Sequence, residues 1–195
     1  GGTAGLMSAM MLKTRFPNYT IDMVCSKKIG IIGVGEGSTP YIRHFFSKLN
    51  IAESEWMPRC SATFKNGISF DNWTNKPAYK QYFHPFPSGF DQQHFDIFKQ
   101  HVHWRRNGAN IQVHPNDYFL TASLADHARS PIASVSSIDN AGHAYHFDAG
   151  LLAKFLCEKA IPLGVQHIKA NVENVEVHPN GDIAAVNTHL GQHIE

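Results

Sequence analysis

The sequence predicts an α/β fold, and three observations point to it. Apolar residues near the amino terminus recur at helical spacing, as Leu6 and Met10 do. A strand-like alternation of apolar and polar residues follows from Tyr19 to Val24. Near the other end, two strand-like stretches flank Asn180-Gly181, a dipeptide typical of hairpin turns. With 195 residues, of which 43% are hydrophobic, the chain can fold as one ordinary globular domain.

Apolar periodicity and the positions of Gly and Pro predict the remaining elements. The predicted helices span about Thr3–Arg15, Pro40–Leu49, Glu53–Cys60, Asp91–Arg105, Asp117–Ala128 and Ala149–Ala160, with Thr39 and Asp148 as caps of the second and the last. The predicted strands are Tyr19–Val24, a stretch containing Ile68, Phe70 and Trp73, Val165–Ala170, Val172–His178 and Ile183–His189. The predicted loops are Gly30–Gly37 and Asn75–Gly89, the second rich in Pro and aromatic residues.

The charge balance narrows the class of partner. Seventeen Lys and Arg residues face sixteen Asp and Glu residues, for a formal net charge of +1. Such a balance predicts no basic face for nucleic acid or anionic lipid. We therefore expect a small-molecule partner, with no nucleic-acid or membrane binding.

The cysteines and the chain ends predict the cellular setting. Cys25, Cys60 and Cys157 are odd in number and far apart, which argues against a disulfide framework or a zinc site. No apolar stretch approaches the roughly 20 residues that cross a bilayer, and no secretory leader is evident. We expect a soluble, cytoplasmic protein. The chain starts at Gly1 without an initiator Met and stops at Glu195 inside a predicted strand, so we expect an amino-terminal fragment.

Glycines open the first predicted helix, in the segment from Gly1 to Gly5. In a dinucleotide-binding turn of the Rossmann type, glycines let the backbone approach a pyrophosphate, and the helix amides hold it through their partial positive charge. Interpreted this way, the segment supplies the second and third glycines of the fingerprint, and the first would precede residue 1. The expected cofactor contacts are Gly2, Thr3, Ala4 and Gly5. A flexible glycine-rich terminus is the alternative.

The end of the next predicted strand departs from that fingerprint. An acidic residue there usually binds the adenosine ribose. Here the strand ends in Cys25-Ser26, and Cys25 is a poorer hydrogen-bonding group for a ribose. Either Ser26 donates a weaker hydrogen bond, or Lys27 and Lys28 contact the cofactor by another route.

A second glycine-rich segment, GVGEGSTP from Gly33 to Pro40, leads into a predicted helix. It resembles the GxGEx-S/T-x-P segment of flavin-dependent tryptophan halogenases, in which this loop forms a strap over the flavin. Glycines permit close approach to a flat ring, and the following helix start can face an anionic group. The resemblance implies FAD contacts from Gly33, Val34, Gly35 and Glu36. A surface loop before a capped helix is the alternative.

The most specific match is WMPRCSATFKNGISF, from Trp56 to Phe70, with Trp73 after it. It resembles the WMPxCxATFKxGIxFxxW stretch of the same family, and the family's catalytic lysine falls on Lys65 without a gap. An amine in a mostly apolar pocket can hold hypohalous acid by hydrogen bonding or react to a haloamine. An exposed lysine at a strand end is the alternative.

An aromatic segment, YFHPFPSG from Tyr82 to Gly89, follows in the chain. It lies where these halogenases carry an aromatic and histidine segment that lines the substrate site. By that resemblance, His84 and Phe86 sandwich or orient an aromatic ring, and offset stacking contributes about 1 kcal/mol. For Phe83, a place in a local hydrophobic cluster is an equally good interpretation.

Two later segments agree with the family's order. AYHFDA, from Ala144 to Ala149, resembles the YHFDA segment of the family, and Val172 falls where a valine backbone contacts the adenine in this class of flavoprotein. The resemblance implies that residues 1–195 are the amino-terminal part of a single FAD-binding domain, Rossmann-like and of the glutathione-reductase type. A substrate-site insertion is expected at approximately 75–145, and the carboxy-terminal remainder of the domain is expected to be absent.

The thirteen histidines invite a metal hypothesis, above all the pairs His101 with His103 and His143 with His146. Neither pair has a third ligand at a readable spacing, and residues i and i+2 of a helix do not share a face. We expect no metal site. No serine lies in a nucleophile-elbow pattern, which argues against a Ser-His-Asp hydrolase.

The resemblance implies FAD-dependent halogenation of an indole, phenol or pyrrole. A separate flavin reductase supplies reduced FAD, which reacts with oxygen to give a flavin hydroperoxide. A halide ion attacks this hydroperoxide to form hypohalous acid, and the acid moves to Lys65. In this family a glutamate partners the catalytic lysine. That glutamate and the family's WxWxIP segment are expected beyond Glu195. The sequence leaves the halide, the exact substrate and a homodimer open.

Two alternatives remain at the sequence level. A flavin-dependent aromatic monooxygenase of the same broad fold would insert oxygen in place of halogen. A non-catalytic FAD-binding module would agree with Cys25 in place of an acidic residue.

Overall fold

The computed structural model describes residues 2–26, 28–30, 33–77, 80–89, 91–132 and 142–195. The chain divides into two compact units. Unit 1 consists of Gly1–Glu36, His44–Ala62 and Phe147–Glu195, and unit 2 consists of Gly37–Arg43 and Thr63–His146. In the ranges that the structure describes, no helix is long and apolar enough to cross a bilayer.

Helices and strands are interspersed along the chain, in agreement with the predicted α/β class. The helices are α1 (Thr3–Arg15), α2 (Ile42–Lys48), α3 (Glu53–Trp56), α4 (Asp91–Arg106), α5 (Leu120–Asp126) and α6 (Ala149–Ala160), with 3-10 turns at Pro58–Cys60 and Pro115–Asp117. The strands are β1 (Ile21–Cys25), β2 (Gly35–Gly37), β3 (Thr63–Lys65), β4 (Gly67–Asp71), β5 (Gln81–Pro85), β6 (Ala144–Asp148), β7 (Val165–Lys169), β8 (Val172–Val177), β9 (Ile183–Thr188) and β10 (His193–Ile194).

A parallel strand pair lies at the centre of unit 1. Strand β1 pairs with β7, in a register that runs from Ile21 opposite Val165 to Cys25 opposite Lys169. Parallel strands need a crossover connection, and helices pack against such a pair to bury it. Helix α1 packs on both strands and on α6.

The helices of unit 1 bury one face each. Leu6 and Met10 of α1 are four residues apart and both fully buried, as are Leu152, Phe155 and Leu156 of α6. This spacing puts the apolar side chains of each helix on a single stripe. The helical spacing of apolar residues that predicts α1 therefore also identifies the face of α1 that is buried.

Helix α6 begins where its cap residue predicts. The Asp148 carboxylate accepts a hydrogen bond of 2.8 Å from the backbone N–H of Leu151, which satisfies one free amide of the first turn. The predicted cap is confirmed.

A hairpin closes unit 1. Strands β8 and β9 are antiparallel, and Gly181 between them has a φ of 93°, a conformation that favours glycine. The predicted turn at Asn180-Gly181 is confirmed, and strand β10 adds to the outer edge of β9.

In unit 2, strand β5 replaces part of the loop predicted over Asn75–Gly89. It pairs antiparallel with β4, and Tyr82 lies opposite Phe70 with the two rings stacked at 4.9 Å. Cross-strand aromatic pairs of this kind stabilise a ladder. The loop prediction was wrong over Gln81–Pro85, because the nearby prolines outweighed the pairing signal of the aromatic residues.

Strands β2 and β6 belong to a sheet of order β2-β6-β3. Lys65 of β3 lies opposite Ala144 of β6, and Thr63 lies opposite His146. Gly35–Gly37 forms β2 inside the loop predicted over Gly30–Gly37, so the loop prediction was wrong there. Backbone pairing requires no side chain, and glycine composition alone did not reveal it.

Several helix bounds differ from prediction because of local backbone constraints. The helix predicted over Glu53–Cys60 gives way after Trp56 to a 3-10 turn that begins at Pro58, a residue without an N–H to continue the ladder. The helix predicted over Asp117–Ala128 begins only at Leu120, because Phe119 is extended, with φ −120° and ψ 124°.

Candidate functional site

A cavity of about 510 Å³ lies in unit 1 at the carboxyl ends of the parallel strands. It is lined by Gly2 at the start of α1, by Cys25 and Ser26 at the end of β1, and by Ala170 and Val172 after β7. Ligands of open α/β sheets bind in the crevice outside the carboxyl ends of the strands. The cavity therefore lies where this class of fold places a cofactor.

The amino terminus of α1 is open on the side of Gly2. Gly2 caps the helix in an extended conformation, φ −84° and ψ −168°, without a side-chain hydrogen bond among the described residues, and the first turn carries no acidic residue. A Cβ added at Gly2 or at Gly5 would meet no heavy atom within 4 Å. Free amides, a positive helix end and open space suit a pyrophosphate.

The turn after β1 is held by Ser26. Its Oγ accepts hydrogen bonds of 3.1 Å from the backbone N–H groups of Lys28 and Ile29. The acceptor capacity of this hydroxyl is thus used within the turn, and its hydrogen is left to donate. Lys27, the other basic candidate at this position, lies outside the described residues, as does Gly1.

A histidine between two cysteines forms one wall of the cavity. His167 Nε2 contacts the Cys25 sulfur, and His167 Nδ1 lies 3.3 Å from the Cys157 sulfur. Burial, with the positive charge of Lys169 adding to it, holds the pKa of His167 below its usual value. The sequence does not predict His167 as a site residue, because only the pairing of β1 with β7 brings His167 and Cys25, which are 142 positions apart, together.

Of the predicted cofactor residues, Gly2 and Val172 line the cavity. Val172 is 49% exposed there. The others lie outside the cavity lining: Thr3, Ala4, Gly5, Gly33, Val34, Gly35 and Glu36.

The first half of the glycine-rich strap, Gly33 to Glu36, is fastened to the start of α6. The Val34 carbonyl accepts a hydrogen bond of 2.8 Å from the Ala149 N–H, and a Cβ added at Gly33 would lie 2.8 Å from the Ala149 Cβ. Only glycine allows this approach without displacement. Val34 and Gly35 are exposed, so this part of the strap presents a free surface in unit 1.

Lys65 is half-buried at the end of β3 in unit 2. Its ammonium donates a hydrogen bond of 3.1 Å to the Ser38 carbonyl and lies 5.6 Å from the ring centre of Phe86. The alternative of an exposed lysine at a strand end was wrong, because a carbonyl acceptor and an aromatic ring hold the side chain. The structure thus brings Lys65 and Phe86 together.

Ser38 is itself fixed by Tyr145 of β6. The Ser38 N–H donates to the Tyr145 carbonyl at 2.9 Å, and the Ser38 hydroxyl accepts from the Tyr145 N–H at 3.1 Å. This double contact orients the Ser38 carbonyl towards Lys65. Sequence reasoning gave Ser38 no contact with the lysine.

Gly37 provides the room in which the lysine amine lies. A Cβ added at Gly37 would be 2.9 Å from Lys65 Nζ and 3.2 Å from His146 Nδ1. Burial, with the positive charge of Lys65 adding to it, lowers the pKa of His146. His146 is therefore a neutral neighbour of the lysine in the neutral pH range.

Phe86 is held from its backbone on both sides. It is 5% exposed, its N–H donates to the Asn66 carbonyl at 2.9 Å, and its carbonyl accepts from the Thr121 hydroxyl at 2.7 Å. These contacts fix the ring that faces Lys65.

A buried carboxylate fastens the segment that follows Phe86. Asp91 is 1% exposed, and it accepts hydrogen bonds from the Ser88 N–H at 2.5 Å, the Ser88 hydroxyl at 2.8 Å and the Leu120 N–H at 3.0 Å. Hydrogen bonds to a buried charge are among the stronger ones in proteins. The sequence predicts Asp91 only as a helix start, and no local pattern reveals that the residue is buried.

His84 does not join the cluster around Lys65. It is exposed on β5, in the position opposite Ile68 of β4. The structure therefore separates the two predicted substrate residues, with Phe86 buried and His84 on the surface of unit 2.

The histidine pairs have other contacts. His101 Nδ1 lies 2.6 Å from the Tyr118 hydroxyl, and the buried His143 packs edge-on against Phe64 at 5.3 Å. Within the described ranges, no three His, Cys, Asp or Glu side chains are grouped to hold a metal ion.

The parallel strand pair with its packed helices, the open glycine turn of α1 and the crevice at the strand ends define an α/β unit of the Rossmann-like class. The family model described as tryptophan halogenase matches residues 1–195, and the chain belongs to the tryptophan halogenase family.

Curated relatives and solved structures agree with that assignment. The chain is 35% identical to a 7-chloro-L-tryptophan 6-halogenase of Kutzneria sp. (strain 744), over 96% of this chain and 40% of the relative. It is 34% identical to a tryptophan 7-halogenase of Lentzea aerocolonigenes, over 98% of this chain and 39% of the relative. A flavin-dependent halogenase from Xanthomonas campestris superposes with a TM-score of 0.77 at 34% identity, over 100% of this chain and 39% of that one. The chain thus spans about 40% of the length of these relatives.

Proposed function

We propose that the protein containing this chain is an FAD-dependent halogenase of an electron-rich aromatic substrate. The relatives whose names state a substrate act on tryptophan or chlorotryptophan, so an indole is the first candidate. The observation that carries the proposal is the setting of Lys65, which is half-buried with its amine against a buried aromatic ring. A halide ion, dioxygen as the oxidant and a flavin reductase that supplies reduced FAD complete the proposed reaction.

The residues of unit 1 fit the adenine-nucleotide part of FAD. Gly2 and the free amides of α1 would face the pyrophosphate, and Val172 would contact the adenine. The strap residues Gly33 to Glu36 would face the flavin. When bound in its reduced form, FAD would activate dioxygen, the oxidant that turns halide into an electrophilic halogen.

The residues of unit 2 would receive and deliver that halogen. The Ser38 carbonyl orients the Lys65 amine, and the amine would hold the halogen species by hydrogen bonding or by forming a haloamine. The Phe86 ring forms an apolar wall beside the amine, which would limit the escape of a reactive oxidant into water. We assign the orientation of the aromatic substrate to Phe86, which lies beside the amine. His84, on the surface of unit 2, is the second residue that the family resemblance proposes for this role.

The same proposal covers the domain organisation. Residues 1–195 would be the amino-terminal part of one FAD-binding domain, with a substrate-site insertion at approximately 75–145. The compact unit over Thr63–His146 supports an insertion in that region.

The test is a lysine substitution in the full-length protein. Lys65→Met removes the amine and keeps the length of the side chain, so halogenation should fall by about a thousandfold or more. FAD affinity should stay unchanged, because no residue of the unit 1 cavity is altered. Lys48→Met, at an exposed position of α2, is the matched control.

Product analysis separates the outcomes. Halogenation that persists in Lys65→Met would refute the role of the lysine. Formation of a hydroxylated product without consumption of halide would indicate a monooxygenase. Tight FAD binding without any turnover, with reductase and halide present, would indicate a non-catalytic module.

A further inference from the structure

We propose that Cys25 is a site of selective thiol modification, activated by His167, in the cavity of unit 1. Its ligands would be soft electrophiles that alkylate thiols, such as an α-haloamide. Three observations carry the proposal: the contact of the thiol with an imidazole, the open cavity around the thiol and the complete burial of Cys60 in the same unit.

His167 can act as the base for Cys25. A neutral imidazole has one N–H donor and one bare acceptor nitrogen. We assign the proton to Nδ1, which donates to the Cys157 sulfur at 3.3 Å, so that Nε2 is bare and faces Cys25. Burial and the charge of Lys169 lower the pKa of His167, which keeps the ring neutral near pH 7. An adjacent base of this kind activates a nucleophile.

The cavity gives reagents access to the thiol. Cys25 is half-exposed and lines the cavity of about 510 Å³. Cys157 lines the same cavity, but the His167 nitrogen that its sulfur contacts is Nδ1, the one to which we assign the proton. We therefore expect Cys25 to react before Cys157.

Cys60 supplies an internal reference. It is 0% exposed, and burial raises its pKa to about 11. A buried thiol without an available thiolate is inert towards alkylation. Any labelling of Cys60 under native conditions therefore measures how often the protein unfolds.

The chemical step with iodoacetamide balances without a further reactant. The Cys25 sulfur forms a bond to the methylene carbon, the carbon–iodine bond breaks, and iodide leaves with its electron pair. The thiol proton passes to Nε2 of His167 and then to water.

Modification should close the cavity to the cofactor, a consequence that rests on the proposed function. Cys25 stands at the strand end where this class of fold binds the adenosine ribose. An added carboxamidomethyl group would occupy that space, so modified protein should bind FAD weakly, and bound FAD should protect Cys25.

The experiment follows the labelling of each cysteine by mass spectrometry in the full-length protein. We expect Cys25 to react with iodoacetamide about tenfold or more faster than Cys60. His167→Gln should slow Cys25 by about tenfold and leave Cys60 unchanged. His178→Gln, at an exposed position of unit 1, is the matched control and should change neither rate. Saturating FAD should slow Cys25 selectively.

Each result decides the proposal. Equal rates at Cys25 and Cys60, a faster reaction at Cys157, or an unchanged Cys25 rate in His167→Gln would overturn it, as would bound FAD that gives no protection. If the unmodified protein binds no FAD, the proposed function is wrong. The labelling rates still test whether His167 activates Cys25. If His167→Gln disturbs folding, the labelling rate of Cys60 rises. In that case the labelling rates of His167→Asn, and the order of the three cysteine rates in the wild-type protein, provide the second measurement.

Discussion

The two units of this chain build their candidate sites from different materials. In unit 1, the cavity borders open main chain at Gly2 and apolar surface at Val172. In unit 2, Lys65 depends on a series of hydrogen bonds through Ser38 and on a ring held by its neighbours. The first site is defined by space that side chains leave free, and the second by polar contacts that side chains make.

This difference predicts opposite sensitivities. A site made of free space is damaged when a side chain is added, because the added atoms occupy the ligand's place. A site made of polar contacts is damaged when one partner is removed, because the other partner stays buried and unsatisfied.

Among the variants that test this difference between the units, the largest effect is expected for an addition in unit 1. Gly2→Asp places a carboxylate in open space at the helix end, where it would repel the FAD diphosphate, and FAD should bind about 100-fold more weakly, about 2.7 kcal/mol. Asp is also a favourable N-cap, so the thermal stability of the unliganded protein should stay equal or rise. A fluorescence titration with FAD measures the expected loss of affinity, and a melting curve of the unliganded protein measures the expected equal or higher stability.

Gly2→Ala is the graded control, with a smaller loss of affinity. Because the lysine site is unaltered, saturating FAD should restore halogenation in Gly2→Asp. Equal FAD affinity in wild type and Gly2→Asp would show that the diphosphate does not bind at Gly2. It would contradict the description of the unit 1 site as free space at the helix end.

A smaller effect is expected for a deletion in unit 2. Asp91→Asn puts an amide donor against the N–H donors that the carboxylate binds, which should cost about 1–3 kcal/mol of unfolding free energy. The segment after Phe86 would loosen, and kcat for halogenation should fall about tenfold with FAD affinity unchanged. Steady-state kinetics and a denaturant titration measure the two changes.

Asp96→Asn is the matched control, since Asp96 lies on the same helix α4 and its ion pair with Lys99 is exposed. It should change neither quantity. If Asp91→Asn instead weakened FAD binding and left kcat intact, the two sites would not be separable in the way that the units suggest.

The smallest effect is expected from titration of His146. Its pKa is lowered in the folded state, by burial first and by Lys65 second, so unfolding takes up a proton below the usual histidine pKa. The stability that this residue contributes is present above that usual value and is lost as the pH falls from it to the lowered pKa of the folded state. Melting temperatures measured from about pH 7 to pH 5 should therefore fall less steeply in His146→Gln than in wild type.

His178→Gln, at an exposed position, is the control and should keep the wild-type slope. His167 also has a lowered pKa, so part of the acid sensitivity should persist in His146→Gln. A slope identical to wild type would exclude His146 as a contributor.

Prediction from sequence succeeded where the pattern is local. The α/β class, the stripe of Leu6 and Met10, the cap Asp148 and the turn at Gly181 all depend on residues a few positions apart, and the structure confirms them. The family assignment from sequence motifs is confirmed too, because its segments are contiguous runs of the chain.

Prediction failed where the deciding partner is distant. Strand β5 forms because Tyr82 stacks on Phe70 of another strand, and the burial of Asp91 depends on the backbone at Leu120. His167 reaches Cys25 only through strand pairing. The catalytic and binding roles assigned to the site residues remain predictions.

The hydrogen bond from Lys65 to the carbonyl of Ser38 has a consequence for mutagenesis. Every amino acid carries a main-chain carbonyl, so an alanine scan cannot delete this acceptor. Replacing Ser38 by Ala would remove only the hydroxyl contact with Tyr145, while the hydrogen bond from the N–H of residue 38 to the Tyr145 carbonyl would still hold the oxygen in place. An activity screen would then score position 38 as nearly neutral although its oxygen orients the amine, and only an amide-to-ester replacement that weakens that oxygen would uncover it.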